Sequence, residues 1–254
     1  MDNVGLCNLM QIKGAQIVRR RQSGATFELQ VPEFSVNAGQ MVCVVGESGC
    51  GKSTLLDFLA LVLRPKLVDS FKIYLDNRYF IDVARLWKRG KDDELAKIRR
   101  RYLGYVLQTG GLLPFLTVRQ NLALPARLKK ESGFEGRISF LAKQIGLEKF
   151  LDEKPKGLSG GQRQRAAILR AIIHKPAVIF ADEPTAAVDR KRALEIISQF
   201  KLLAVRQRAA VVMVTHDRHL VENVADRWFG FNLEYPKRDL ILSKCYEMDS
   251  NYNS

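Results

Sequence analysis

The sequence predicts an α/β fold built around a mainly parallel sheet that helices cover on both faces. Two fully apolar runs, 177–181 and 209–215, have the length and composition of buried strands, and an amphipathic helix at 192–208 separates them. A third apolar run, 41–45, passes directly into a glycine-rich turn and then a helix-compatible segment. Continuous apolar strands that alternate with helices are typical of parallel sheets, because such sheets are buried on both faces.

Size and charge limit the possible classes of protein. A chain of 254 residues with 46% hydrophobic residues can bury its own core, as one large domain or two small ones. Its 41 Lys and Arg outnumber 27 acidic residues and give a formal charge of +14, which suits nucleotides, nucleic acid or an anionic membrane surface. No run reaches the ~18 consecutive apolar residues of a membrane span, and residues 1–21 lack the apolar segment of a signal peptide. We expect a protein that is soluble or bound to a membrane it does not cross.

The four cysteines, Cys7, Cys43, Cys50 and Cys245, indicate a reducing compartment. They show neither C-x-x-C spacing nor the Cys/His spacing of a metal site. Cys43 lies inside an apolar strand and Cys50 inside the glycine-rich turn, so neither is placed for a disulfide. We expect Cys50 to react with thiol reagents and to be protected by a nucleotide.

The N-terminal region predicts short antiparallel strands. Residues 26–31 alternate apolar and polar side chains, residues 11–12 form another short strand, and residues 37–39 form a turn. The basic run 19–21 is interpreted as a solvated loop, with contact to a membrane or a nucleotide as the alternative.

The middle of the chain changes from strand to helix. An exposed helix with a basic end at 94–101 leads into a strand at 102–107, which closes on Gln108. The apolar loop 111–116 then precedes a stretch, 117–157, whose apolar spacing is helical. The loop is either an exposed docking surface or a small core packed against these helices.

The glycine-rich turn fits the phosphate-binding pattern G-x-x-x-x-G-K-[ST] in full. Its residues are Gly46, Glu47, Ser48, Gly49, Cys50, Gly51, Lys52, Ser53 and Thr54. Backbone N–H groups of such a turn, and the positive end of the following helix, suit a phosphate chain. Lys52 would reach the β- and γ-phosphates and the Ser53 hydroxyl would ligate Mg²⁺. A glycine-rich turn that binds nothing is the alternative; the strand before and the helix after, expected to end near 64–65, favour phosphate binding.

Polar groups follow the other predicted strands at the same end. Gln108, Asp182, Glu183 and His216 each come directly after an apolar run, and ligands bind parallel sheets at that edge. Asp182 suits a Mg²⁺ ligand, and Glu183 can orient or deprotonate a water. His216 can donate to a γ-phosphate. The alternatives are a surface turn at Asp182–Glu183 and a buried structural histidine at His216; His174 and His219 are interpreted as structural.

Taken together, these motifs resemble the nucleotide-binding subunit of ATP-binding-cassette (ABC) transporters over nearly the whole chain. Residues 46–54 resemble the Walker A loop, Gln108 the Q-loop glutamine, 178–183 Walker B with the catalytic glutamate, 186–189 the D-loop and His216 the switch histidine. The signature pentad Leu158-Ser159-Gly160-Gly161-Gln162 is highly specific to this family.

The resemblance implies Mg-ATP as the ligand. Its catalytic groups are expected to be Lys52, Glu183 and His216, and its metal ligands Ser53, Gln108 and Asp182. Besides residues 46–54 and Gln108, the nucleotide is expected to contact Ser159, Gly160, Gly161 and Gln162, supplied by a second subunit in a head-to-tail homodimer.

The resemblance also implies a fold and an organisation. The expected fold is a P-loop NTPase (RecA-like) parallel-sheet core with an N-terminal antiparallel β region and an inserted α-helical lobe. Residues 1–254 would form a single domain, with the core at about 1–108 and 158–235, the lobe at about 109–157 and a frayed polar tail at about 236–254.

Two further segments, 99–108 and 112–121, resemble the bacterial lipoprotein-release, macrolide-export and cell-division branch of the family. The implied function is ATP hydrolysis that drives an integral membrane permease from the cytoplasmic face of the inner membrane, where the chain is peripheral. A non-transport ABC ATPase that acts on nucleic acid or ribosomes is the alternative. Such proteins generally carry two cassettes or a long coiled coil, so we expect no nucleic-acid partner. A catalytically dead regulatory cassette is disfavoured by the intact catalytic groups.

The sequence departs from the family pattern in two places. Where an aromatic residue usually stacks on adenine, the chain has Val18-Arg19-Arg20, and the plane of an arginine side chain can stack in its place. The D-loop is also more apolar than usual at Ala186.

Overall fold

One mixed sheet runs through the part of the chain that the computed structural model describes, which is residues 8–20, 24–76, 78–186, 188–237 and 239–248. Its ten strands are β1 (Asn8–Arg20), β2 (Thr26–Asn37), β3 (Met41–Val45), β4 (Leu67–Tyr74), β5 (Phe80–Asp82), β6 (Leu103–Val106), β7 (Val178–Asp182), β8 (Ala210–Thr215), β9 (Arg227–Lys237) and β10 (Leu240–Met248). The helices are α1 (Lys52–Leu59), α2 (Val83–Lys88), α3 (Asp92–Tyr102), α4 (Val118–Leu128), α5 (Phe134–Gln144), α6 (Gly160–Ile172) and α7 (Arg190–Gln207).

The strand order is β5-β4-β1-β2-β10-β9-β3-β8-β7-β6. Strands β9, β3, β8, β7 and β6 run parallel, whereas β5, β4, β1 and β2 pair antiparallel. Strand β10 joins the halves, because it lies parallel to β2 and antiparallel to β9. This arrangement confirms the predicted parallel core with an N-terminal antiparallel region.

Burial on both faces of the sheet explains the continuous apolar strands. In β8, Val212 and Val214 belong to one core layer, whereas Val211 and Met213 belong to the layer on the other face. All four side chains are fully buried. A strand in this position therefore cannot show the apolar-polar alternation of a half-buried strand.

Helix α1 begins directly at the glycine-rich turn and is anchored by aromatic packing. Phe58 stacks on Trp87 with ring centroids 5.8 Å apart and meets Phe71 edge-on at 5.4 Å. The helix ends at Leu59, earlier than the expected 64–65, because Leu61 adopts a left-handed backbone with φ of 61°. Strand β4, which the sequence analysis missed, follows this turn.

Residues 117–157 form helices and turns, as their apolar spacing predicts. Helix α4 starts at a capping box: the Thr117 side chain accepts from the Gln120 N–H, and the Gln120 side chain accepts from the Thr117 N–H. Ile138 and Ala142 of α5 are fully buried in the same core layer as α4. The division of the chain into a core and a lobe stays a prediction.

The C-terminal prediction was wrong. Residues 240–248 were expected in a frayed tail, yet they form β10, which pairs on both sides. The segment looks polar because only alternate side chains, Ser243 and Cys245, are buried, while Lys244 and Tyr246 face solvent. Residues 249–254 lie outside the described part of the chain.

The prediction of a loop at 19–21 was also wrong for Arg19 and Arg20. Strand β1 continues through Arg20, which pairs with Thr26 of β2, so the backbone of Arg19 and Arg20 is held in the sheet. Arg21 lies outside the described residues. Among the helices that the structure describes, none is long and apolar enough to cross a membrane.

Candidate nucleotide-binding and catalytic site

The glycine-rich turn connects β3 to α1 and adopts the geometry of a phosphate cradle. Gly51, the residue before α1, has φ of 111°, a left-handed value that disfavours any other residue. A Cβ there would also come within 2.8 Å of Cζ of Phe27. The first N–H groups of α1 have no side-chain cap, so they are available to a ligand.

Lys52 places a positive charge across this turn. Its side chain is 7% exposed, and its Nζ donates to the carbonyl oxygens of Gly46 at 2.7 Å and Glu47 at 2.8 Å. The ammonium group is therefore held over the loop by backbone oxygens, while the nearby carboxylate of Asp182 interacts with its charge without a direct ion pair. Such a group attracts phosphate oxygens.

The turn forms one wall of a cleft of about 570 Å³, large enough for a small-molecule ligand. The residues that line it come from distant parts of the chain: Arg19, Arg20, Phe27, Ser48, Gly49, Gly51, Lys52, Ser53, Thr54, Gln108, Glu183 and His216. The expected convergence of polar groups at the strand ends is therefore present. The chemical roles of these residues stay predictions.

Side chains with oxygen atoms meet at the junction of the turn and β7. The Ser53 hydroxyl donates to Oδ1 of Asp182 at 3.3 Å, and Gln108 lines the same cleft. Burial raises the pKa of Asp182, and the hydrogen bond from Ser53 partly offsets this. A hydroxyl, a carboxylate and an amide oxygen are the hard ligands that Mg²⁺ prefers when phosphate oxygens supply the rest. The described residues contain no group of three or more His, Cys, Asp or Glu that could hold a metal.

Glu183 has an unusual backbone for its type. Its φ is 43°, a left-handed value that costs about 1–3 kcal/mol in a residue other than glycine. Its N–H donates to the carbonyl of Val214 in the neighbouring strand at 3.0 Å, which holds this conformation. The carboxylate is mostly buried, and Oε2 lies 3.1 Å from Nδ1 of His216. Because the acceptor is a carboxylate, Nδ1 donates in this contact, and Nε2 of the neutral ring is an acceptor.

The signature residues lie outside this cleft. Ser159 caps α6: its hydroxyl accepts from the Gln162 N–H at 3.3 Å, and the Gln162 side chain accepts from the Ser159 N–H at 2.7 Å. Ser159 and Gly160 are exposed, and a Cβ on Gly160 would meet nothing within 4 Å. This helix start therefore faces open space with its positive end outward.

Sequence analysis missed Asp57, a polar residue on α1. Its Oδ2 accepts from Nη2 of Arg19 at 2.7 Å, and its Oδ1 accepts from the Tyr105 hydroxyl at 3.2 Å. Burial first, and then the charge of Asp57, raises the pKa of Tyr105. Arg19 is thus held by an ion pair while Arg20 is exposed, a distinction that no local pattern in the sequence could show.

The reaction of Cys50 with thiol reagents and its protection by a nucleotide stay predictions, and burial argues against a fast reaction. Cys50 is 2% exposed and is not among the residues that line the cleft. Burial raises the pKa of its thiol, which lowers its reactivity further.

The remaining residues singled out in the sequence are two histidines and the expected D-loop. His174 is buried, with Nε2 3.0 Å from the carbonyl of Leu103, in agreement with a structural role. Exposed His219 approaches Glu222 at 3.4 Å. In the expected D-loop, Asp189 caps α7 by accepting from the Arg192 N–H at 3.1 Å, and Ala187 lies outside the described residues.

Comparison with known proteins decides the family. The profile of the family described as "ABC transporter" matches residues 29–186, more than half of the chain. The chain belongs to the ABC transporter family.

Its relatives include ATP-binding subunits of several transporters. It is 36% identical to the ABC transporter ATP-binding protein YxdL of Bacillus subtilis over 214 residues, which cover 84% of this chain and 79% of that protein. It is 35% identical to the lipoprotein-releasing system ATP-binding protein LolD of Xanthomonas campestris over 222 residues, covering 84% and 89%. A dimeric, post-hydrolysis structure of the ATP-binding cassette MJ0796 of Methanocaldococcus jannaschii, bound to ADP and Pi, superposes with a TM-score of 0.75 at 33% identity, covering 87% of this chain and 94% of that one.

These relatives establish the broad function. The ABC ATPase is an enzyme that binds and hydrolyses ATP as the ATPase subunit of a transporter. The resemblance to the branch that contains lipoprotein-release ATPases is confirmed. Neither the site nor these relatives favour the nucleic-acid alternative.

Proposed function

We propose that this ABC ATPase works as a head-to-tail homodimer that closes around two Mg-ATP. The observation that carries the proposal is the separation of the two phosphate-binding elements. Lys52 and the turn line the cleft, whereas Ser159 and Gly160 present an exposed helix start outside it. Each cleft is completed when a second subunit places its α6 start against the γ-phosphate. MJ0796, a relative that is dimeric with ADP and Pi, supports this arrangement.

Different residues of the cleft would bind the phosphates of ATP and the Mg²⁺ ion. The turn's backbone N–H groups and Lys52 bind the β- and γ-phosphates. Ser53, Asp182 and Gln108 would hold Mg²⁺, which neutralises charge on the phosphate oxygens. Together these contacts favour the spread of charge over the transferring phosphoryl group.

Glu183 orients the attacking water. Its strained backbone and its contact with His216 fix the carboxylate at the cleft. Since Nδ1 of His216 already donates to Glu183, Nε2 can donate to the γ-phosphate only in the imidazolium form or as the Nε2–H tautomer once the ring has turned away from Glu183. His216 is 63% exposed and has room for that movement.

Replacing Glu183 by Gln tests the proposal. We expect E183Q to bind ATP as the wild type does, to hydrolyse it at least about 100-fold more slowly and to accumulate as a dimer with ATP, measured by size-exclusion chromatography with light scattering. Asp76→Asn, a change at an exposed acid away from the cleft, is the control. An E183Q chain that stayed monomeric and hydrolysed ATP normally would refute the scheme.

We also propose that the ABC ATPase binds an integral membrane permease as its partner. The ABC ATPase itself would lie peripherally at the cytoplasmic face of the inner membrane. A groove of about 290 Å³ between β6, α4 and α6 is lined by Leu113, Leu124, Pro125 and Leu128 and bordered by Arg100. Its apolar floor and basic rim suit an amphipathic segment with an acidic end. ATP hydrolysis by the ABC ATPase would drive either mechanotransmission-type export or the extraction of lipoproteins.

The apolar loop 111–116 partly fits both interpretations of it, an exposed docking surface and a small core packed against the helices. Leu112 packs against the core, whereas Leu113 lines the groove and Phe115 is 68% exposed. Buried Asn121 fixes the loop, since its Oδ1 accepts from the Leu113 N–H at 2.8 Å and its Nδ2 donates to the Leu113 carbonyl at 3.1 Å.

Co-purification with a membrane subunit tests the docking surface. Leu113→Asp and Phe115→Asp should each release the subunit while leaving ATP binding intact. Val205→Asp, at another exposed apolar position on α7, is the control. A complex unchanged by both loop substitutions would contradict docking at this surface.

A further inference from the structure

The phosphate-binding turn is held from beneath by the last strand of the described chain. The hydroxyl of Ser243 in β10 donates to the carbonyl of Cys50 at 2.6 Å. Ser243 is fully buried, and Cys50 is 2% exposed. Solvent therefore has little access to this contact, and its loss would leave a buried polar group in an apolar environment.

Ser243 is itself fixed in the interior of the sheet. It pairs with Leu29 of β2 on one side and with Leu233 of β9 on the other. The hydroxyl thus projects from a backbone that is hydrogen-bonded along both edges. It is a rigid support rather than a mobile contact.

Strand β9 closes the same space from the side. A Cβ on Gly46 would come within 2.7 Å of Sγ of Cys50 and 3.2 Å of Cδ2 of Phe231. The first glycine of the turn therefore lies directly against the Cys50 thiol and a side chain of β9. The turn rests on β9 and β10, two strands that follow every nucleotide motif in the sequence.

The planar peptide bond links this support to the ligand side. The Cys50 carbonyl and the Gly51 N–H belong to one rigid peptide unit and point in opposite directions. When Ser243 holds the carbonyl beneath the turn, the Gly51 N–H is directed toward the opposite side, where Gly51 lines the cleft.

We propose that Ser243 is a positioning residue that presets the phosphate-binding turn. It touches no nucleotide; it acts through the Cys50–Gly51 peptide and fixes an N–H donor before ATP arrives. The inference rests on ATP binding at this turn. Because the turn would cradle the β-phosphate, ADP and ATP should depend on Ser243 equally.

Ser243→Ala provides the test. We expect S243A to bind ATP and ADP about tenfold more weakly, with kcat at saturating ATP within about twofold of the wild type, because a preset donor contributes to binding before chemistry begins. In the nucleotide-free chain, hydrogen–deuterium exchange at the amides of residues 49–52 should be faster. Ser243→Cys, which keeps a weaker donor, should give intermediate affinity.

Ser35→Ala is the matched control. Ser35 lies in β2 of the same sheet, and its hydroxyl accepts from Nη1 of Arg227 at 3.1 Å, with no contact to the turn. S35A should bind both nucleotides as the wild type does. A drop in thermal stability shared by S35A and S243A, without a change in affinity, would mean that Ser243 is merely structural.

The outcomes separate this inference from the function on which it rests. Wild-type affinity and exchange in S243A would overturn the positioning role. Should S243A fail to fold, wild-type affinity in Ser243→Cys would overturn it and a weaker affinity would support it. Failure of the wild-type chain to bind Mg-ATP would overturn the nucleotide site itself.

Discussion

Two glycine-containing helix starts in this ABC ATPase use the same backbone chemistry in opposite settings. Gly51, before α1, has no side-chain cap, and the turn before it is supported by the buried Ser243. Ser159, before α6, is exposed and completes a capping box with Gln162. The first start has no side-chain cap on its N–H groups and lies over a rigid base, whereas the second satisfies part of its donors with its own side chains. The difference supports the proposal that the turn provides affinity for the nucleotide and that α6 contacts a nucleotide bound by the other subunit.

The largest expected effect comes from removing the charge at the first helix start. Lys52→Ala should weaken ATP binding by more than about 100-fold, because the Lys52 ammonium lies directly over the turn. Isothermal titration calorimetry with Mg-ATP measures the loss, and Lys97→Ala on exposed α3 is the control. Unchanged affinity in K52A would show that the turn is not the source of affinity.

The two glycines provide the sharpest test of the contrast. Gly160→Asp can be accommodated without a clash and adds a negative charge at the α6 start. We expect it to leave ATP binding within about twofold and to slow hydrolysis about 100-fold, because like charges across an interface repel. Gly51→Ala should instead weaken binding about tenfold, because of the left-handed φ and the Phe27 contact.

Steady-state ATPase assays and calorimetry on both glycine variants separate the two roles. If G160D hydrolysed ATP at the wild-type rate, the α6 start would not belong to a composite site. If it bound ATP as weakly as G51A, the assignment of affinity to the turn alone would be wrong.

A smaller effect on ATP affinity is expected for Arg20, which also lines the cleft. Arg20 is exposed and lines the cleft, whereas the guanidinium of Arg19 is held by Asp57. Stacking of the adenine on Arg20 predicts that Arg20→Ala weakens ATP binding about three- to tenfold and that Arg20→Tyr restores it. Competition of ATP against a fluorescent nucleotide measures this. Equal affinity in all three chains would exclude Arg20 as the base contact.

The smallest expected effect is on stability and concerns Asp182. Burial raises the pKa of Asp182 in the folded chain above its unfolded value, so ionisation of this carboxyl lowers the free energy of unfolding once the pH exceeds both values. Asp182→Asn should therefore raise the Tm of the nucleotide-free chain by about 2 °C near neutral pH.

The gain in Asp182→Asn should shrink as the pH falls through the raised pKa of the folded Asp182 carboxyl, and it should vanish below the ordinary pKa of an aspartate, where both states are protonated. Differential scanning fluorimetry across this range measures it. A gain that did not depend on pH would mean that desolvation of the Asp182 charge is not its cause.

Much of the site could be predicted because its motifs are local. The turn at 46–54 needs glycines, a lysine and a hydroxyl at fixed spacing, and these residues are neighbours in the chain. The gathering of Gln108, Asp182, Glu183 and His216 followed from a general property of parallel sheets, whose carboxyl ends meet at one edge. The buried core strands were equally visible, because two-sided burial removes polar residues from them.

Tertiary structure alone decided how these parts are held. The expected tail is a strand, and its Ser243 supports a turn about 190 residues earlier, which only the register of β10 against β2 and β9 brings into contact. The same holds for the pairing of Arg19 with Asp57 and for the burial of Cys50. A sequence pattern specifies which chemical groups a segment carries, whereas their orientation and burial depend on partners distant in the chain.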